Sequence, residues 1–167
     1  NSTIVVVSQL RRKDSLERKF ERMPKSAGGA ARRAWAKHVT ENNVDQLLDL
    51  YDFGTPSQPL LFKPTLANEI RVDRAGARSY FVSGDPNYPH DQGFLNRGWN
   101  HVEFHSAVGP VLNTAGPGFS DMGHYTFIDR NGNATHADYT FSYHKRAGHV
   151  LISLHHSSLT WSPPIED

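Results

Sequence analysis

The sequence contains no cysteine among its 167 residues. This absence excludes disulfide bonds, zinc sites built from thiolates and a cysteine nucleophile, although it does not identify a compartment. The chain also lacks an apolar run near the ~20 residues that a membrane-spanning helix requires. The run Ile-Val-Val-Val at residues 4–7 is far too short for that role and predicts a strand. We therefore expect no membrane insertion.

A strong charge of one sign is also lacking, because the formal net charge is only +1. The charge is unevenly distributed, with ten Lys or Arg against three Asp or Glu in residues 1–37, and eight against fourteen in the rest. A basic segment can bind nucleic acid, but acidic residues interrupt this one and its aromatic residues are not spaced to stack on bases. We expect a solvated helix face and no nucleic-acid partner.

The chain begins at Asn1 without a methionine. We expect a processed form or an excised piece of a longer chain, in which a targeting peptide would no longer be visible. Its composition, with 37% hydrophobic and 21% charged residues, is typical of a globular protein. A chain of this length predicts one domain with a substantial core. We divide it into an extension at residues 1–27, a domain at 28–162 and a tail at 163–167.

Apolar residues at helical spacing predict helices in the first half of the chain. Gly28-Gly29 is interpreted as a hinge, and prolines at positions 56, 59 and 64 exclude regular helix around them. Residues 60–65 predict a short extended segment, and residues 84–98, rich in Gly, Pro, Asn and Asp, predict an irregular loop. The predicted helical segments are residues 15–23, 30–41, 44–51 and 74–82.

From Asn100 onward the hydrophobic period changes to two, which predicts strands. The strands are expected at residues 100–106, 119–129, 134–144 and 150–159, and Asn131-Gly132 is a hairpin-turn signal between the second and the third. Helices followed by an antiparallel meander indicate an α+β fold with helices on one face of a bent sheet. A ligand site is then expected between the sheet and the helices.

The densest polar cluster is His-His-Ser-Ser at residues 155–158, near the end of the last predicted strand. Strand alternation places His155 and Ser157 on one face, together with Leu151 and Ser153. His156 and Ser158 share the opposite face. One His-Ser pair is therefore expected to face the interior, whereas the other faces outward.

Metal chemistry is the next hypothesis, because ten histidines is a high number for this length. His101 and His105 share a strand face, but they lie about 13 Å apart by strand rise, which is too far for one ion. None of the predicted helices carries two histidines at i, i+4 spacing, so no metal is expected. The other histidines considered as ligands were His124 with His136, and His155. The chain also lacks a nucleophile elbow, a phosphate loop and a dinucleotide fingerprint.

Five short blocks, taken together and in order, resemble the iota-class carbonic anhydrases of algae and bacteria. The blocks are Leu-Phe-Lys-Pro-Thr at 61–65, Ser-Tyr-Phe-Val at 79–82, Met-Gly-His-Tyr-Thr-Phe at 122–127, Tyr-Thr-Phe-Ser-Tyr at 139–143 and Leu-His-His-Ser-Ser-Leu at 154–159. The resemblance covers about two thirds of the chain and leaves residues 1–27 outside it. His124 stands where the family usually has an amide, Ser142 stands where it usually has glycine, and the segment between positions 65 and 80 is shorter here.

The resemblance implies a cone of the nuclear-transport-factor-2-like (NTF2-like) kind that forms a homodimer through its sheet. It implies a pocket lined by Thr65, Tyr80, His155 and Ser157, with carbon dioxide and bicarbonate as ligands. It also implies that no metal is needed, with manganese or zinc as the alternative, since relatives of both kinds exist. The sequence identifies no compartment, and the algal members of the family are the ground for considering a plastid.

The expected reaction is the hydration of carbon dioxide, with the hydroxyls of Thr65, Tyr80 and Ser157 binding water and substrate. His155 is the expected proton acceptor, because an unperturbed imidazole titrates near neutral pH. Four phenylalanines are expected to pack around the pocket as apolar walls or core: Phe62, Phe81, Phe127 and Phe141.

Two alternatives remain open at the level of sequence. A cyclase or isomerase of a larger organic ligand would need a wide apolar pocket and a buried carboxylate, for which Asp138 and Glu103 are the candidates. A non-catalytic association module is the other, because calcium/calmodulin-kinase association domains resemble the same family.

Overall fold

The computed structural model describes residues 26–113 and 118–165. The strand expected at residues 4–7 and the helix expected at 15–23 lie outside these ranges. No helix in the described part of the chain is both long enough and apolar enough to cross a bilayer.

Helix α1 (Ser26–Thr40) and the short helix α2 (Val44–Leu48) open the fold. Helix α1 begins four residues before the predicted start, so Gly28-Gly29 lies inside the helix and the predicted hinge is wrong. The reason is packing. A Cβ atom on Gly28 would lie 2.9 Å from Oδ2 of Asp121 and 3.4 Å from the ring of Pro110. Glycine lets the helix approach the sheet closely at this position.

A small hairpin of β1 (Gly54–Thr55) and β2 (Gln58–Pro59) leads to β3 (Leu61–Lys63). Helix α3 (Arg74–Val82) occupies the predicted span, and the Asp73 side chain caps it by accepting from Gly76 N–H at 2.8 Å. The loop expected at residues 84–98 is mostly irregular, but it contains a 3₁₀ helix (Phe94–Arg97).

Four long strands complete the chain: β4 (Trp99–Leu112), β5 (Phe119–Asp129), β6 (Ala134–Arg146) and β7 (His149–Leu159). The sheet order is β3-β7-β6-β5-β4, antiparallel except for the parallel pair β3–β7. The predicted meander and the α+β class are confirmed. The parallel edge strand was not predicted, because a three-residue segment carries too short a pattern to reveal its partner.

The core lies between the concave face of the curved sheet and the helices. Trp35 of α1, 2% exposed, packs against Phe127 and Phe141 of the sheet at ring-centroid distances of 6.0 and 6.3 Å. All four phenylalanines expected as apolar walls are at most 1% exposed. The helices therefore cover one face of the sheet, and the other face carries exposed side chains.

Candidate active site

The site forms where β3 and β7 run in the same direction. The parallel register pairs Phe62 with His155 and Lys63 with His156. Both strands therefore lead toward the same end of the sheet, where Thr65 follows β3 and Ser157 lies in β7. The hydroxyl oxygens of Thr65 and Ser157 are hydrogen-bonded to each other. These two residues are 92 positions apart in the chain, so the pairing of the strands is what joins them.

The alternation predicted for β7 is confirmed at its polar end. His155 and Ser157 are 2% and 1% exposed, whereas His156 and Ser158 are exposed. The prediction that Leu151 and Ser153 share the inward face is wrong, because Ile152 is the buried residue there. The pairing of β7 with β6 shifts by one residue between Leu154 and Ile152, so a bulge at Ser153 reverses the alternation before it.

Tyr125, which sequence reasoning did not single out, joins the hydroxyl groups to His155. Its hydroxyl donates to Ser157 Oγ and lies 3.2 Å from Nε2 of His155. Burial raises the pKa of Tyr125, although its hydrogen bonding with Ser157 and Thr65 opposes that shift. Tyr125 faces inward on β5 two residues before Phe127, so alternation within the block at 122–127 was the signal that could have identified it.

Two further residues extend the network behind His155. The indole Nε1 of Trp35 donates to the hydroxyl of Tyr51 at 2.8 Å, and that hydroxyl lies 2.8 Å from Nδ1 of His155. The hydrogen-bond pattern assigns the histidine tautomer. Tyr125 donates its proton to Ser157, so Nε2 of His155 carries the ring proton and donates to Tyr125, while Nδ1 accepts from Tyr51.

The network consequently runs in one direction. It starts at Trp35, whose indole can only donate, and passes through Tyr51, His155 and Tyr125 to the pair formed by Ser157 and Thr65. That pair carries two O–H protons and uses one between its own oxygens. One O–H proton therefore remains for a ligand.

His155 is enclosed by aromatic rings as well as hydrogen-bonded. Phe62 stacks on it at a centroid distance of 5.0 Å and an angle of 13°, and Phe141 lies 4.4 Å away. Burial, with a smaller contribution from the nearby His156, lowers the pKa of His155 to about 3. The imidazole is therefore neutral near pH 7, which argues against the expected role of proton acceptor.

Tyr80 reaches the same region from helix α3. Its ring packs on Phe62 and Phe94, and the residue is 5% exposed. Its hydroxyl is buried and has no hydrogen-bond partner among the described residues. Burial raises the pKa of Tyr80, and the neighbouring Thr65 hydroxyl and the Arg97 charge lower it in part. A neutral donor without a partner is thus held beside the Thr65–Ser157 pair.

A cleft of about 170 Å³ borders Tyr80. It is lined by Leu66, which follows Thr65, and by the loop that carries His90 to Phe94 and Arg97. All four residues predicted for the site therefore lie in one region, and the cleft borders one of them, Tyr80.

The other candidates do not form a site. Asp138 and Glu103 have side chains that are 41% and 65% exposed, so neither is the buried carboxylate that a cyclase needs. His105 and His124 approach each other on the outer face, with ring centroids 5.9 Å apart. Within residues 26–113 and 118–165, no three His, Asp or Glu side chains are arranged to hold a metal ion.

The comparisons with known proteins agree with this geometry. A family model described as metal-independent carbonic anhydrase matches residues 26–159. A curated metal-independent carbonic anhydrase from Nostoc sp. is 39% identical over 77% of this chain. The match covers 61% of that relative's length, which is less than two thirds of it.

Solved structures give the same result at the level of the fold. An iota-carbonic anhydrase from a cyanobacterium, complexed with bicarbonate, matches with a TM-score of 0.69 and 30% identity over 83% of this chain and 93% of its own. A protein described as a calcium/calmodulin-dependent protein kinase II association domain, from Xanthomonas campestris, matches at 30% identity and a TM-score of 0.58 over 79% of this chain and 84% of its own. A more distant NTF2-like protein from Shewanella oneidensis, at 12% identity, shows that the fold is NTF2-like.

Proposed function

Because the chain belongs to the metal-independent carbonic anhydrase family, we propose that it catalyses the reversible hydration of carbon dioxide to bicarbonate, and that it does so without a metal. The observation that carries the proposal is the buried hydroxyl cluster. Thr65 and Ser157 are hydrogen-bonded to each other, and Tyr125 donates to Ser157. Tyr80 stands beside them with a hydroxyl that has no hydrogen-bond partner within the described part of the chain. The bicarbonate bound to the cyanobacterial relative supports the choice of ligand.

The cluster suits a small planar oxyanion. The Ser157–Thr65 pair has one O–H proton left for a ligand, and the Tyr80 hydroxyl offers a second donor at the same place. Hydroxyl oxygens also accept hydrogen bonds, so the same groups can hold a water molecule before the reaction. Binding of both the water and the anion is thereby assigned to Thr65, Tyr80 and Ser157.

In the hydration step, the oxygen of the held water attacks the carbon of carbon dioxide. The π electrons of one C=O bond move to its oxygen, and the water loses a proton, which passes to solvent. Donors aimed at the oxygen where charge develops stabilise the transition state more than the uncharged substrate. Arg97 lines the adjacent cleft, and its positive charge favours an anion there.

His155 acts in this proposal as a positioning residue. Its Nε2–H group donates to Tyr125, so the Tyr125 proton points to Ser157 and the ligand-facing protons of Ser157 and Thr65 are oriented in turn. A protonated imidazole would lose its acceptor nitrogen and break the bond from Tyr51. The neutral ring is therefore the form that keeps the donors aligned.

The alternatives fit less well. A cyclase or isomerase would need an unpaired buried carboxylate, whereas the buried Asp52 and Asp121 are ion-paired with Arg146 and Arg32. A module that only assembles copies of the protein would not require the network of six hydrogen-bonded side chains that runs from Trp35 to Thr65. We propose that a homodimer forms through the outer face of the sheet, with catalysis in each subunit.

Stopped-flow measurement of carbon dioxide hydration tests the function. We expect the chain to hydrate carbon dioxide at the same rate before and after treatment with a strong chelator. Ser157→Ala and Thr65→Val are each expected to lower kcat about 100-fold, because each removes a donor to the developing charge.

The neighbouring serine provides the matched control. Ser158 is exposed on the outer face of the same strand, so Ser158→Ala should keep the wild-type rate. An inactive wild type would refute the function. Full activity in both site variants, with circular dichroism unchanged, would refute the site.

A further inference from the structure

Given the proposed function, we propose that His90, on the rim of the cleft beside Tyr80, accepts the proton released by carbon dioxide hydration and passes it to buffer. The reaction produces one bicarbonate and one proton in each turnover. Written with the acceptor, carbon dioxide, water and neutral His90 give bicarbonate and protonated His90. A buffer base then removes that proton and restores the neutral ring.

The groups that bind the reactants cannot keep this proton. Both nitrogens of His155 are used in hydrogen bonds to Tyr51 and Tyr125, and the residue is 2% exposed. Burial lowers the pKa of His155 to about 3, and burial also keeps Tyr80 and Tyr125 neutral by raising their pKa values. The proton must therefore leave the buried cluster.

The cleft meets the buried cluster at Tyr80. Its wall contains Tyr80 and, on the facing loop, His90, Asp91 and Arg97. Asp91 is already bound by both terminal nitrogens of Arg71, at 2.8 Å each, and its side chain is 6% exposed. Arg97 carries a permanent charge and accepts no proton. The exposed imidazole of His90 remains as the cleft group that can both accept and release a proton.

The backbone around His90 is held in place, and its side chain is exposed. The guanidinium of Arg71, which is 0% exposed, lies 3.7 Å from the ring centroid of Tyr88 and binds Asp91. The Asp91 N–H group also donates to the Tyr88 carbonyl at 3.1 Å. His90 lies between these two anchored residues. These contacts keep the imidazole at the rim of the cleft, where it also meets solvent.

The test is the buffer dependence of hydration in His90→Ala and in His90→Gln, which keeps a polar side chain. In dilute buffer we expect kcat to fall about tenfold or more, with kcat/KM for carbon dioxide unchanged, because interconversion of the carbon species precedes proton release. Added imidazole should restore kcat in both variants. His149→Ala is the matched control, since His149 is exposed but lies outside the lining of this cleft; it should behave as wild type.

The outcomes separate this inference from the function on which it rests. No hydration by the wild type would overturn both. Wild-type hydration with unchanged kcat in the His90 variants would overturn only the role of His90. A parallel fall of kcat and kcat/KM without rescue by imidazole would also overturn it, because a structural defect has that signature.

Discussion

His155 shows how strongly burial can change what a histidine does. Phe62 and Phe141 enclose its ring, Tyr51 and Tyr125 bind its two nitrogens, and its pKa falls to about 3. In the unfolded chain the same group titrates near pH 6.5. The stability of the folded state therefore depends on the protonation state of His155, because the folded protein holds this side chain in its neutral form.

The sign of the linkage gives a prediction about stability. Between pH 6.5 and 3 the unfolded chain binds a proton at His155 and the folded chain does not, so lowering the pH favours unfolding. The contribution of His155 to the free energy of unfolding is fully present above pH 6.5. Below that pH it decreases by about 1.4 kcal/mol per pH unit. We expect His155→Gln to remove this component. Between pH 7 and pH 5, the free energy of unfolding measured in urea should fall by about 2 kcal/mol more in wild type than in the variant. An equal decrease in the free energy of unfolding of wild type and variant would contradict a neutral, buried imidazole at position 155.

At this scale the sequence reveals some of the site. Period-two alternation paired His155 with Ser157 and placed both inside, and the resemblance supplied Thr65 and Tyr80. The bonds of Trp35 and Tyr51 join a helix and a loop to a strand more than 100 residues away. No local pattern encodes such contacts. The bulge at Ser153 was equally hidden, because an extra residue is visible only when two strands are paired.

Among the contacts between secondary-structure elements, a buried ion pair joins helix α1 to the sheet. Arg32 binds Asp121 of β5, whose side chain has no exposed surface, and Tyr143 of β6 donates to Asp121 at 3.1 Å. Burial raises the pKa of Asp121, and the Arg32 charge opposes that shift. Gly28, one turn before Arg32, provides the close approach that this contact needs.

Removing the Arg32 charge alone should therefore lower the free energy of unfolding more than replacing both Arg32 and Asp121. Arg32→Met leaves a buried carboxylate unpaired and should lower the free energy of unfolding by about 3 kcal/mol at pH 7. Arg32→Met combined with Asp121→Asn should recover most of that loss. Arg33→Met changes the adjacent, exposed arginine on the same helix and should have little effect. Thermal and urea unfolding measure all three, and an Arg32→Met protein as stable as Arg33→Met would contradict this role of the pair.

The whole molecule was easier to predict than its parts. A change of hydrophobic period near Asn100 and a hairpin signal at Asn131-Gly132 indicated the α+β class, and the family resemblance of the five blocks implied the NTF2-like cone. The route into the site was not predictable, because it depends on a loop at residues 84–98 whose composition indicates only irregularity. That loop is ordered by Arg71, a residue with no distinguishing local context in the sequence.

The outer face of the sheet leads to a prediction about assembly. Val108 and Met122 are cross-strand partners on this face and are 68% and 54% exposed. Polar side chains, among them His124 and His156, border the groove that they line. An apolar centre with a polar rim is the usual anatomy of a protein interface, and we expect a second copy of the chain to cover it.

Met122→Lys should convert that dimer to a monomer, because two lysines related by the dimer axis would be buried against apolar surface and against each other. Size-exclusion chromatography with light scattering measures the change. Ile70→Lys is the control, since Ile70 is 57% exposed but lies outside the five-stranded sheet, and it should remain dimeric. The hydration rate per subunit should persist in both variants, because the hydroxyl cluster lies on the opposite face of the sheet. A wild type that is monomeric at high micromolar concentration would show that this face serves another purpose.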